Sequence, residues 1–147
     1  MDNIIGQYLN TSYTKISHCE ITVGPGSKEL IYLSMAMFAG KILLPAPAWT
    51  TYNPQVTQYD KVPILIHNLT IQAKLAGHTA IPILTSENNK WKLTSEDLEA
   101  AVDDRKGPWL LVLTNPGNPS GCVYTRLELE SLAQVCRKYE IIVLRKV

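Results

Sequence analysis

Short runs of apolar residues recur along this chain, and each run is followed by proline, glycine or polar residues. The run Trp109–Leu113 is continuously apolar, which is typical of a strand buried on both faces of a parallel sheet. Similar runs predict four further strands, at Glu20–Val23, Lys41–Leu44, Thr79–Leu84 and Ile141–Leu144.

Helical spacing of apolar residues separates these runs. Ser27 is of a preferred N-cap type, so the pattern predicts that it caps a helix reaching about Phe38, with Gly40 ending it. Two further helices are predicted, Ser95 to about Asp103 with Thr94 or Ser95 as cap, and Tyr124–Tyr139. Residues 50–77 are ambiguous, because Pro63 and the β-rich run after it interrupt a helical pattern.

The alternation of strands and helices predicts an α/β fold, with a mostly parallel sheet that has helices on both faces. The last predicted strand lies close to Val147, and no helix follows it to cover its face. We therefore expect uncovered apolar surface there, and weak folding of the chain by itself.

Composition narrows the class of protein. The 147 residues are 46% hydrophobic and carry a net charge of +1, which fits one globular domain and offers no basic patch for nucleic acid. The three cysteines have no CxxC spacing, so a reduced, cytoplasmic protein is expected. The sequence has no signal-peptide pattern and no apolar run of the roughly 20 residues that span a bilayer.

The segment Thr114–Gly121, which reads TNPGNPSG, follows the Trp109 strand and precedes a helix. Ligands of open α/β sheets bind at the carboxyl ends of strands, so this segment is a candidate site loop. The side chain of Asn118 offers an amide to a ligand oxygen, and both Asn-Pro steps have a raised chance of a cis bond. The alternative is a turn built from ordinary turn residues.

Two other segments follow predicted strands. Gly24–Lys28 combines glycines with a helix start, which suits a phosphate, although it is equally compatible with an ordinary tight turn. Trp49 follows Pro47 and could stack on a flat ligand ring, or could pack in a core or an interface.

The histidines and cysteines offer less chemistry. His18, His67 and His78 are scattered without the spacing of metal ligands, so surface or packing roles are expected and no metal site is predicted. Nothing near Cys122 marks it as a nucleophile, and Cys136 lies on the apolar side of a predicted helix, as a core residue would.

Several strings, in this order along the chain, resemble the class I/II aminotransferases of the aspartate aminotransferase fold, which are fold-type I enzymes that use pyridoxal 5'-phosphate. The strings are Val23–Leu30, Pro45–Trp49, Leu93–Thr94 with Leu98, Asn115–Gly121 and Cys136–Val143. The resemblance covers nearly the whole chain except about residues 56 to 72.

The resemblance implies roles for particular positions. Gly26, Ser27 and Lys28 match the helix start that holds the cofactor phosphate. Trp49 matches the aromatic residue that stacks on the pyridine ring, and Asn118 matches the asparagine that bonds the ring hydroxyl oxygen. Pro47 and Pro119 match positions that often follow cis bonds.

The same resemblance implies a partial large domain that binds pyridoxal phosphate, residues 1–147, with an atypical insertion at about 56–71. The Schiff-base lysine, the aspartate that pairs with the pyridine nitrogen, the substrate-binding arginine and the N-terminal arm have no match in the chain. No catalytic residue is therefore assigned within it.

The function implied is that of a fragment of an aminotransferase, inactive by itself, whose full enzyme is a homodimer acting on an amino acid and a 2-oxo acid. Neither nucleic acid nor a membrane is expected as a partner. The alternatives are a non-catalytic fragment that binds a full-length subunit, and a piece of a related lyase such as an aminocyclopropane-carboxylate synthase.

Overall fold

The computed structural model describes residues 22–46, 67–102 and 106–146. Helices and strands alternate along these ranges. In chain order they are α1 Ser27–Met37, β1 Lys41–Ala46, α2 His67–Leu75, β2 Ala80–Leu84, a 3₁₀ turn Glu87–Asn89, α3 Ser95–Val102, β3 Trp109–Thr114, α4 Arg126–Lys138 and β4 Ile142–Lys146. The strands predicted near residues 41, 79, 109 and 141 are thus confirmed.

The four described strands form one parallel sheet in the order β2-β1-β3-β4. From β1 the chain moves outward to β2 and then returns to place β3 on the other side of β1. The strand order therefore reverses between β1 and β3, and such a reversal leaves a crevice at the carboxyl ends of the two strands. The predicted α/β class with a parallel sheet is confirmed.

Helices cover both faces of this sheet. Successive side chains of a strand point to opposite faces, so each strand contributes to both packed layers. On one face, Leu43 and Leu111 pack in a core that also contains Leu98 of α3 and Leu132 of α4. On the other face, side chains of β1 and β3 pack against Ile31 and Met35 of α1 and Ala73 of α2. These strand residues are Ile42, Leu44, Leu110 and Val112. The chain therefore has two apolar cores separated by the sheet.

Pro45 lies where β1 separates from β3. Pairing of β1 with β3 ends at Leu43 with Leu111, whereas pairing of β1 with β2 continues to Ala46 with Leu84. The Lys41 N–H donates to Pro108 and the Ile42 N–H to Thr79, so odd-numbered residues of β1 face β3. Pro45 faces β3 without an N–H to donate. The ladder between β1 and β3 cannot continue there, and the crevice begins.

Two predicted helix starts are wrong by a residue or two. Ser27 is the first helical residue rather than the cap, because Gly26 is extended and its carbonyl accepts the first helical bond, from the Leu30 N–H, at 3.2 Å. The last helix begins at Arg126 rather than Tyr124, since Thr125 is its N-cap.

Some predictions fall outside the described residues or only partly within them. Trp49, Pro47, His18 and Cys19 lie outside them, as do residues 56–66 of the proposed insertion, while residues 67–71 form the first half of α2. Of the strand predicted at Glu20–Val23, the described part, Thr22 and Val23, is not in a strand.

Candidate functional site

A small depression of about 30 Å³ lies at the carboxyl ends of β1 and β3, where the strand order reverses. Its walls come from three parts of the chain. Pro45 and Thr114 contribute from the strand ends, Trp91 from the segment after β2, and Asn118 and Cys122 from the loop after β3. The predicted site loop therefore reaches the position where an open α/β sheet binds its ligands.

The loop from Asn115 to Thr125 turns back on itself through its glycines. The Gly117 N–H donates to the Cys122 carbonyl at 2.7 Å, and the Gly121 N–H donates to the Gly117 carbonyl at 2.8 Å. A Cβ at Gly117 would lie 2.5 Å from the Cys122 Sγ, and Gly121 has φ +68°. Both Asn-Pro bonds in the loop, Asn115–Pro116 and Asn118–Pro119, are cis, as the sequence suggested for them.

Asn115 and Tyr124 close the loop at its two ends. Asn115 is buried; its N–H donates to Lys146 of β4 at 3.0 Å, and its Oδ1 accepts from the Tyr124 N–H at 3.2 Å. The Tyr124 hydroxyl oxygen accepts from the Leu93 N–H at 2.7 Å. Burial raises the pKa of Tyr124 to about 12, so the phenol stays neutral through the physiological range.

A charged network supports the start of α4 next to this loop. The Glu128 carboxylate accepts from the Lys92 ammonium at 2.8 Å and from the Thr125 N–H at 2.6 Å. The Thr125 hydroxyl accepts from the Glu128 N–H at 3.3 Å, which completes a capping box. The bond from Lys92, followed by that from Thr125, lowers the pKa of Glu128 to about 2.

Asn118 lies in the loop between Asn115 and Tyr124, and it lines the depression. Its side chain forms no hydrogen bond with any other residue that the structure describes. A primary amide offers two donors and one acceptor, and none of them is used by another residue of the described ranges. The role that the sequence resemblance implied for Asn118 stays a prediction.

The helix start at Gly26, Ser27 and Lys28 is exposed, and no side chain caps it. The N–H groups of the first turn have no acceptor within an α-helix, and the helix dipole makes this end positive. Three residues join the end of α1 to the start of β1, so α1 runs antiparallel to β1 and begins towards the carboxyl edge of the sheet. Both predicted binding segments thus belong to one edge.

Trp91 lines the candidate site, and sequence reasoning missed it. It is 42% exposed and lines the depression, and both it and Lys90 have φ of 58°. Left-handed backbone at two successive residues other than glycine is costly and recurs at functional sites. The pair Asn88–Asn89 predicts a turn, but no residue type in this segment indicates that the next two residues are left-handed.

A larger cleft of about 330 Å³ lies between the segment 88–96, which ends in the first turn of α3, and the start of α4. Lys92 and Glu128 form part of its wall, but they are paired with each other. This ion pair holds α4, while Lys90 and Glu96 also line the cleft. We place the candidate site in the smaller depression, because it lies at the strand ends and contains Asn118, whose side chain bonds no described residue.

The remaining candidate features are the cysteines, a metal site and a membrane-spanning helix. Cys136 lies on the buried face of α4, as predicted, and both it and Cys122 are free thiols. Within the described ranges, no group of three or more His, Cys, Asp or Glu side chains could hold a metal ion. No helix in those ranges is both long and apolar enough to cross a bilayer.

Comparison with known sequences gives a family match over almost the whole chain. The family model for class I and II aminotransferases matches residues 2–145. An asparagine–oxo-acid transaminase of Streptococcus mutans is 30% identical over 151 residues, covering 98% of this chain and 33% of that protein. A probable aspartate/prephenate aminotransferase of Rickettsia felis is 35% identical over 123 residues, covering 82% of this chain and 25% of that protein.

Solved structures show the same fold. The aspartate aminotransferase of Rhizobium meliloti matches with a TM-score of 0.75 at 22% identity, over 99% of this chain and 33% of that one. An aminotransferase from Escherichia coli matches with a TM-score of 0.69 at 24% identity, over 97% of this chain and 31% of that one. The chain thus spans about a third of the length of these relatives.

Proposed function

The chain belongs to the class I and II aminotransferases, and we propose that it forms part of an enzyme that uses pyridoxal 5'-phosphate to move an amino group between an amino acid and a 2-oxo acid. The observation that carries this proposal is the family match over residues 2–145. The placement of both predicted binding segments on one edge of the sheet supports it. Because the chain spans about a third of its relatives, the activity is proposed for a complete enzyme.

The first turn of α1 fits the phosphate of this cofactor. A phosphate dianion accepts hydrogen bonds from free N–H groups and is favoured by the positive end of a helix. Gly26 leaves open space at the helix start, with no atom within 4 Å of where a Cβ would stand. In the proposed site, Ser27 adds a hydroxyl donor and Lys28 adds a positive charge.

Asn118 fits the ring side of the cofactor. Its available amide would donate to the ring hydroxyl oxygen and so fix the orientation of the ring. Trp49, which lies outside the described residues, is proposed to stack on the pyridine ring. When bound, the cofactor would supply the electron sink for the reaction, while the residues of this chain bind and orient it.

The proposal also covers the type of reaction, the cellular location and the oligomeric state of the complete enzyme. Each relative described above carries the name of an aminotransferase or transaminase, so the lyase alternative is not favoured. We propose a cytoplasmic homodimer for the complete enzyme. The 147 residues contain no match to the Schiff-base lysine, so we expect no transamination from this polypeptide alone, in a coupled assay with amino acid and 2-oxo acid pairs.

The experiment that tests the proposal is a titration of the purified chain with pyridoxal 5'-phosphate, followed by quenching of tryptophan fluorescence. Losing a hydrogen bond to a ligand costs on the order of 1.4 kcal/mol, so Asn118→Ala should weaken binding about tenfold. Lys28→Ala should weaken it by a similar or larger factor, because the partner is charged.

Matched controls come from exposed residues elsewhere in the chain. Asn88→Ala removes an exposed amide from the 3₁₀ turn, and Lys106→Ala removes an exposed ammonium from the segment before β3. Neither should change the affinity. Equal affinity for all four variants and the unaltered chain, or no binding at all, would count against the proposed cofactor site.

A further inference from the structure

Tyr124 connects the Asn118 loop to two other parts of the chain, although it lies outside the TNPGNPSG string. It precedes α4 and is buried, and its ring packs in the core beside α3 and α4. Its two polar groups bond two different parts of the chain. The Tyr124 N–H donates to Asn115 Oδ1, and its hydroxyl oxygen accepts from the Leu93 N–H.

The two bonds join Tyr124 to Asn115, nine residues earlier at the other end of the loop, and to Leu93, 31 residues earlier. Asn115 directly follows β3, and its N–H donates to the Lys146 carbonyl of β4, so one bond fixes the loop to the sheet. Leu93 precedes α3 and is almost fully buried, so the other bond fixes the loop to the α3 side of the fold. Asn118 lies between these attachment points, and the structure describes no bond from its own side chain to any residue.

We infer that Tyr124 is a positioning residue: its hydroxyl holds the loop 115–122 in the conformation that presents the Asn118 amide to the ligand. We call the bonds of Tyr124 to Asn115 and Leu93 the clamp. The ligand that Asn118 contacts rests on the proposed function, whereas the geometry of the clamp is independent of that function.

The substitution Tyr124→Phe separates the clamp from core packing. Phenylalanine keeps the buried ring, but the Leu93 N–H loses its acceptor, and a buried unsatisfied donor favours local opening. Tyr139→Phe is the matched control, because it also removes a hydroxyl that forms a hydrogen bond: the Tyr139 hydroxyl donates to Glu99 at 3.0 Å, at the far end of α4.

Cys122 offers a direct measure of loop opening, since it lies in the loop and is partly buried. A Cys19→Ser background removes one other thiol, and Cys136 is buried, which raises its pKa and slows its reaction. We expect Tyr124→Phe to raise the rate of Cys122 modification by an aromatic disulfide reagent about tenfold. Tyr139→Phe should leave this rate unchanged.

The dependence on urea distinguishes local opening from global unfolding. Local opening exposes little surface, so the increased rate in Tyr124→Phe should depend only weakly on urea below the unfolding transition. An increase that follows the global unfolding free energy, and is shared by Tyr139→Phe, would overturn the inference.

A double-mutant cycle tests whether Tyr124 acts through Asn118. Tyr124→Phe should weaken pyridoxal 5'-phosphate binding in the unaltered chain but have no further effect in the Asn118→Ala background. Equal losses in both backgrounds would overturn the positioning role. If the unaltered chain binds no cofactor, the proposed function fails, and the Cys122 rates alone still decide whether Tyr124 holds the loop.

Discussion

Individual glycines of the Asn115–Thr125 loop are required for different physical reasons. Gly117 is required by space, since a Cβ there would lie 2.7 Å from the Ser120 Oγ as well as against Cys122. Gly121 has open space around it, but its φ of +68° belongs to the left-handed region. The loop therefore depends on residue size at one glycine and on backbone freedom at the other.

Gly121 allows a test of backbone strain alone. Gly121→Ala should lower the free energy of unfolding by about 1 kcal/mol, because alanine is strained in the left-handed region. Gly121→Asn is the matched control and should cost less, since asparagine tolerates this conformation. Urea denaturation of the two variants measures the difference, and an alanine variant as stable as the asparagine variant would contradict the explanation.

At the scale of elements, α4 shows how local sequence and distant contacts together determine a helix start. Thr125 and Glu128 have the spacing of a capping box, so this start was readable from the sequence, although the prediction placed it at Tyr124. The pairing of Glu128 with Lys92 was not readable, because 36 residues separate them. Local signals predict where the helix begins, whereas contacts across the fold determine which distant residue its first turn binds.

The Glu128 pair should make stability depend on pH in acid. The pKa of Glu128 is lowered from 4.5 to about 2 in the folded chain, so its contribution is present above pH 4.5 and is lost as the pH falls towards 2. Glu128→Gln should therefore destabilise the chain at pH 6, and the difference from the unaltered chain should shrink by pH 3. Urea midpoints at the two pH values measure this.

Glu130→Gln is the control for that experiment. Glu130 lies on the same helix, and its ion pair with Arg126 is largely exposed, with side-chain exposures of 52% and 91%. Exposed pairs contribute little, so this variant should differ little from the unaltered chain at either pH. A destabilisation equal to that of Glu128→Gln would mean that the capping network has no special role.

For the whole molecule, the sequence predicted the four described strands and helices α1, α3 and α4 in order, but it left α2 ambiguous and did not specify how the elements are arranged. Continuous apolar runs such as Trp109–Leu113 indicate strands regardless of context. The order β2-β1-β3-β4 depends on pairing between distant segments, which no local pattern specifies. Asn118 was found because it lies in an unusual string, whereas the clamp residue Tyr124 has neighbours that only the fold brings together.

The outer strand β4 has the uncovered apolar surface that the sequence suggested. Ile142 is 57% exposed and Val143 is 43% exposed, while the preceding Ile141 is buried. We expect Ile142→Thr to keep the free energy of unfolding and to reduce self-association in sedimentation velocity, since exposed apolar strands associate.

Ile141→Thr is the matched substitution one residue earlier. It removes buried apolar area and buries a hydroxyl, so it should cost about 2 kcal/mol in urea denaturation. Equal effects of the two substitutions on stability would contradict the burial pattern at the start of β4.

The alternation of side chains along β3 has a consequence for combinatorial mutagenesis. Leu110 and Leu111 are adjacent in sequence but belong to different cores, whereas Leu111 and Leu132 share one core. Substitutions that share no packing partner add independently, and those in contact do not. A library can therefore randomise each face of the sheet separately. Non-additive effects are expected between substitutions on the same face, and not between adjacent residues of one strand.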